Sequence, residues 1–113
     1  MKNLITIFAF IIFGIIFPNE IKATDKIIHQ DSLWVNGACS MCKDRIEKAA
    51  KKSGVEKAIR NKNTHILVVF YDESKTNLDA IEKAEAKVGH DTKNYKAKDE
   101  VYNKLPSCCK YRE

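Results

Sequence analysis

The hydrophobic pattern divides this chain at once. Leu4 to Phe17 is a continuous apolar run, LITIFAFIIFGIIF, softened only by Thr6 and Gly14. It sits behind the positive Lys2 and is broken by Pro18 and Asn19-Glu20. The run is too short for a membrane-spanning helix, which needs about 20 residues, and matches the apolar core of a secretory signal. Residues 1–23 are therefore predicted to be a signal peptide ending at the small Ala23, and the protein is expected to be exported; an uncleaved membrane anchor is the alternative. No cysteine follows the run closely, so a lipid-anchored terminus is not expected.

After residue 24 the pattern changes to short alternating and helical stretches. Ile27 to Val35 alternates loosely and ends at Asn36-Gly37, a strand running into a turn. Met41 to Ser53 has helical period, with Ile46, Ala49, Ala50 and Ser53 on one face and Gly54 as the stop. Val55 to Arg60 is a weak strand, and Thr64 to Tyr71 (THILVVFY) is a strong one, dense in β-branched and aromatic residues. Thr76 or Asn77 can cap a second helix lined by Leu78, Ile81, Ala84 and Val88 and ended by Gly89. Lys93 to Ala97 is a candidate final strand, and Val101, Tyr102 and Leu105 suggest a short helix before Pro106. The order β-α-β-β-α-β predicts an α+β fold over 24–98: a four-stranded antiparallel sheet with two helices on one face, followed by a tail over 99–113.

Composition narrows the function classes. The chain has 113 residues, 44% hydrophobic and 31% charged, enough for one small domain and too little for separate substrate and cofactor domains. The formal charge of +5 becomes +4 once Lys2, Lys22 and Glu20 leave with the signal. Basic residues are interleaved with Asp44, Glu47 and Glu56, which argues against nucleic acid. Four cysteines remain, as a Cys39-Ser-Met-Cys42 motif and an adjacent Cys108-Cys109 pair. An even count in an exported protein suggests disulfides, yet neither pair closes a long loop within itself. Clustered thiols of this kind point to metal or redox chemistry.

The CxxC motif lies where the first strand gives way to the first helix. Backbone N–H groups and the helix dipole there favour thiolate, with Cys42 in the opening turn. Two thiolates suit the low coordination number that Cu(I) or Hg(II) accepts, whereas a structural zinc site wants four ligands. Such a site is open and suits capture and transfer. A plain Cys39–Cys42 disulfide and thioredoxin-like exchange are the alternatives. The second lacks a proline to face the dithiol, since the mature chain has only Pro106.

The run from Cys39 through Ile46-Glu47-Lys48-Ala49 to Gly54-Val55 resembles the heavy-metal-associated domain, the family of copper chaperones, modules of metal-transporting P-type ATPases and periplasmic mercury-binding proteins. The resemblance spans about Leu33 to Ala97. It implies a ferredoxin-like βαββαβ sandwich with metal on Cys39 and Cys42. The family's usual Gly-Met-x before the first cysteine is here Asn36-Gly37-Ala38, so the methionine that anchors the loop in the core is missing.

Three further features extend the expected site. In the resembled family the loop holding His90 comes near the metal, so this histidine is a possible third ligand or a tuner of the thiolates; an ordinary solvent-facing loop histidine is the alternative. His29 and His65 fit ordinary strand positions. Cys108 or Cys109 is a possible additional ligand, able to complete a three-sulfur set or to pass metal to it; disulfide roles are the alternative. The basic face of the first helix (Lys43, Arg45, Lys48, Lys51, Lys52) is either solvated or a docking face for an acidic partner, such as a metal-transporting membrane protein or another metal chaperone. The expectation is thus an exported, periplasmic-type, monomeric, non-enzymatic carrier of a soft metal ion, Cu(I) first, with Hg(II) or Zn(II) possible. A dithiol–disulfide oxidoreductase using the same CxxC is the alternative, and a disulfide-stabilised interaction module is a third reading.

Overall fold

The computed structural model describes residues 27–112; the predicted signal peptide lies outside them. The elements run β1 (Ile28–Trp34), α1 (Ser40–Lys52), β2 (Lys57–Arg60), β3 (Ile66–Asp72), α2 (Leu78–Lys87) and α3 (Asp99–Asn103), and a 3₁₀ turn follows over Ser107–Cys109. β3 is the central strand of an antiparallel sheet ordered β1-β3-β2, with Leu33 opposite Leu67 and Ala58 opposite Val69. Its alternation is what the sequence demands: Leu67, Val69 and Tyr71 point inward while Ile66, Val68 and Phe70 stay half-exposed.

Cys42, Ile46, Ala49 and Ala50 form the buried stripe of α1, and α1 and α2 pack side by side against the inner sheet face. Asn77 caps α2 by accepting the Ala80 N–H at 2.9 Å. Gly54 and Gly89 end the two helices at φ +113° and +108°, the left-handed region open to glycine. The buried stripe of α2 differs from the expected one. Ile81, Glu82, Glu85 and Ala86 are buried, whereas Ala84 and Val88 are half-exposed.

The sheet among the described residues has three strands, not the predicted four. Thr92 forms one isolated bridge with Val35 at the free edge of β1, and the chain then turns away. The reason is the buried Glu82. Its Oε1 accepts from the Thr92 hydroxyl (2.7 Å) and the Asn94 N–H (3.0 Å), and its Oε2 from the Asn94 amide (3.0 Å). The Thr92 N–H bonds the Tyr95 carbonyl at 2.8 Å. The N–H groups of Thr92, Asn94 and Tyr95 are thereby satisfied within a turn instead of in the β1 ladder. The short helix expected around Val101 forms as α3, which leads the tail back over the core through Tyr102 and Leu105.

Candidate metal centre

Residues 35–39 form a loop from the end of β1 to the start of α1, and three groups hold it from below. The Asn36 N–H bonds the Asp91 carbonyl at 2.8 Å. The Asn36 carbonyl accepts from His90 Nδ1 at 2.8 Å. Arg60, 1% exposed on the inward side of β2, donates Nη2 to the Val35 carbonyl at 2.7 Å and lies 3.4 Å from that of Gly37.

Arg60 accounts for the missing methionine. A Cβ on Gly37 would lie 3.1 Å from Cys42 Cβ, 3.2 Å from Ile46 Cδ1 and 3.3 Å from Arg60 Nη2. The space beneath the loop is already filled by the guanidinium, which holds the loop by hydrogen bonding. Its backbone N–H donates to Glu47 on α1 at 2.8 Å, and the same carboxylate oxygen accepts from Lys43 at 2.7 Å. These two donors hold the Glu47 carboxyl below its ordinary range against the desolvation that would raise it. Arg60 was not singled out from the sequence. Its in-phase spacing with the buried Ala58 was the available signal.

Above the loop the four cysteines converge. Cys39 caps α1, with its sulfur 3.7 Å from that of Cys42 and 3.7 Å from that of Cys109. Cys42 and Cys109 are joined as a disulfide across a sequence separation of 67, with Cα atoms 5.7 Å apart. The sulfurs of Cys39, Cys108 and Cys109 all lie within 4.8 Å of one another. The 3₁₀ turn splits the adjacent pair, turning Cys109 into the core and leaving Cys108 exposed with its sulfur 3.7 Å from the thioether of Met41.

The thiol of Cys39 is held below its ordinary value, first by the Cys108 thiol and then by the backbone N–H groups of Cys42 and Met41 and by Arg45; burial opposes them. Cys108 is raised in turn by its neighbour Cys39. The Cys108 thiol, helped by the first N–H groups of α1, thus favours thiolate at the cap residue Cys39. His90 is fully buried and backs the loop from the core side. Burial pushes it down to about 4, so it is neutral at pH 7, with Nδ1 as its protonated nitrogen and Nε2 without a hydrogen-bond partner. The group of clustered metal-binding side chains among the described residues does not include it. His29 lies on β1 within 3.3 Å of Glu73, and His65 precedes β3.

Such a fold, with a CxxC motif at the strand-to-helix loop, defines a class of small metal-handling domains. No protein-family profile matches the sequence, and neither does any curated protein. Solved structures do. The chain is 32% identical to the CopZ metallochaperone, covering 57% of this chain and 98% of that one at a TM-score of 0.54. It is 32% identical to oxidised MerP from Ralstonia metallidurans CH34, over 58% and 94% of the two chains at 0.55. Against the water-soluble region of the P-type ATPase CopA from Bacillus subtilis the identity is 31% over 61% of this chain and 47% of that one, at 0.56. The chain belongs to the heavy-metal-associated domain family. About two-fifths of it has no counterpart in the CopZ metallochaperone. Among the described residues no helix is long and apolar enough to cross a membrane.

Proposed function

We propose that this protein captures a soft metal ion, Cu(I) before Hg(II) or Zn(II), on Cys39 and Cys42 and hands it on by thiolate exchange. The observation that carries the reading is the pair of sulfurs 3.7 Å apart at the start of α1, with Cys39 half-exposed and its thiolate favoured. The likeness to the CopZ metallochaperone and to a candidate copper-ion-binding protein from Bacillus anthracis supports the choice of soft metals. A partner thiolate attacks the bound ion, a three-coordinate state forms, and one of the protein's thiolates leaves. No electron changes hands in that step.

The partner is a metal-transporting membrane protein or a second metal chaperone, met after export under the 1–23 signal. Lys48, Lys51 and Lys52 are exposed along α1, while Lys43 is engaged by Glu47. A groove of about 370 Å³ lined in part by Lys48 and Lys52 also takes in Arg45, Val88 and Met41, whose thioether lies 3.7 Å from the Cys108 sulfur. An acidic partner steered by this face gives an encounter rate that falls with salt.

The test is an anaerobic Cu(I) titration of the reduced protein, purified as the cell delivers it, against a competing chelator. One ion bound tightly, and lost in Cys39→Ser/Cys42→Ser, is the expected result. Equal retention by the double variant refutes the reading. The alternative is a dithiol–disulfide oxidoreductase that uses the same CxxC, Cys39 and Cys42. It requires catalytic turnover of a disulfide substrate, which a carrier lacks.

A further inference from the structure

The tail is fastened on both sides of the cysteine pair. Before it, Tyr102 and Leu105 are buried, and Leu105 lies so close to Gly89 that a Cβ there would stand 2.9 Å from Leu105 Cδ2. After it, Tyr111 donates its hydroxyl to the Gly89 carbonyl at 2.6 Å and accepts the Asp91 N–H at 2.9 Å. Arg112 forks onto Asp91 at 2.8 and 3.3 Å, and its Nη2 also donates to the Ala97 carbonyl at 2.7 Å. Its backbone N–H donates to the Tyr102 hydroxyl at 2.7 Å, and its guanidinium stacks 4.3 Å from that ring. A staple between two sulfurs would need only Cys42 and Cys109. A third sulfur, Cys39, nevertheless stands 3.7 Å from each of them.

We propose that Cys109 is a third thiolate of the metal site, so that the ion is held by Cys39, Cys42 and Cys109 with the exposed Cys108 at the mouth. The inference rests on the carrier reading above. With thiolate bonds of about 2.3 Å, a three-coordinate ion sets its sulfurs about 4.0 Å apart and a linear two-coordinate ion about 4.6 Å apart. The two observed 3.7 Å separations lie nearer the first. Reduction of the Cys42–Cys109 bond lets those sulfurs part by side-chain rotation on the Cα spacing of 5.7 Å. That reduction takes two electrons and two protons from a dithiol, which leaves as its own disulfide. The incoming ion then displaces the thiol protons. The bonded form of the pair is therefore the closed form of the same site, and a dithiol is the reductant that opens it.

Copper K-edge X-ray absorption on the reduced, Cu(I)-loaded protein tests this directly, beside chelator competition for wild type, Cys109→Ser and Cys39→Ser/Cys42→Ser. Three sulfur ligands in the wild type, falling to two in Cys109→Ser with affinity at least about tenfold weaker, are the expected results. Two sulfurs in the wild type overturn the proposal without any variant having to fold. Unchanged affinity in Cys109→Ser, with binding still lost in the double variant, also overturns it and leaves the CxxC reading standing. Tight binding by the double variant overturns the CxxC reading itself.

Discussion

Glu85→Gln is expected to stabilise the protein at neutral pH and to leave it nearly unchanged at pH 4. Glu85 is fully buried on α2, and neither carboxylate oxygen has a hydrogen-bond partner. Burial pushes its carboxyl from 4.5 up to about 9, against the opposing pull of the Arg60 guanidinium. A folded-state value above the unfolded one means that the stability contribution is whole below pH 4.5 and is lost as pH rises towards 9. At pH 7 the folded protein holds a proton that the unfolded chain has released. That costs about 1.4 kcal/mol for each pH unit above the unfolded value, or about 3 kcal/mol at pH 7. Glutamine has nearly the same shape and does not ionise, so the cost disappears. The unpartnered polar atoms remain in both proteins and largely cancel.

The assay is urea unfolding of both proteins from pH 4 to pH 8 with the Cys42–Cys109 bond intact, checked for equal urea dependence. The difference should be near zero at pH 4 and grow to about 3 kcal/mol in favour of the variant at pH 7. His90 titrates in both and drops out of the comparison. A variant less stable than wild type at pH 7, with the gap closing at pH 4, would show that Glu85 is ionised and supports Arg60 as a charge pair. It would refute the argument that the buried carboxyl is neutral.

Three other outcomes follow from the same region. His90 is pushed down to about 4 by burial, so its contribution is whole above pH 6.5 and is lost as pH falls through 4; this removes about 3 kcal/mol, and urea unfolding of His90→Gln should show a flatter acid limb. Gly89→Ala places a methyl against Leu105 at a backbone φ of +108° and should destabilise by about 1–3 kcal/mol in urea. Arg112→Ala removes the fork on Asp91 and the contact with Ala97; in the reduced protein, alkylation of Cys109 followed by mass spectrometry should accelerate several-fold.

The parts of the fold that were legible in the sequence are those set by local pattern. β3 declares itself by its run of β-branched residues, α1 by its apolar period and α2 by its Asn77 cap and terminal glycine. The CxxC falls at the start of α1 because strand, turn and helix are each written locally. What was not legible depends on distant side chains. Lys93 to Ala97 carries nothing that forbids a strand, and it is Glu82, ten residues before Thr92, that draws the backbone into a turn. Glu85 lies four residues after Ile81 and Arg60 two after Ala58, both in phase with buried positions. A charge in phase with the core was the usable sign that polar groups take the anchor's place. The pairing of Cys42 with Cys109 rests on how the tail returns, and spacing alone does not encode that return.

The loss of the fourth strand and the convergence of the tail on the thiols are connected through residues 89–91. Asn36 in the loop before α1 is held by the backbone of Asp91 and the ring of His90. Tyr111 and Arg112 in the tail are held by Gly89 and by the side chain of the same Asp91, whose carboxyl the Arg112 pairing keeps below its ordinary value against burial. One short segment therefore fixes both the loop that presents Cys39 and Cys42 and the tail that presents Cys109. Had residues 93–97 continued along β1, they would have covered the strand edge and carried the chain away from this segment. By turning back at Glu82, the chain brings α3 and the 3₁₀ turn over the core and the last cysteine to the loop. In the proposed three-sulfur site, the fastening at 89–91 sets how close Cys109 stands to Cys39 before an ion arrives. A ligand set drawn from two ends of the chain gains affinity only if its members are already close before the ion arrives.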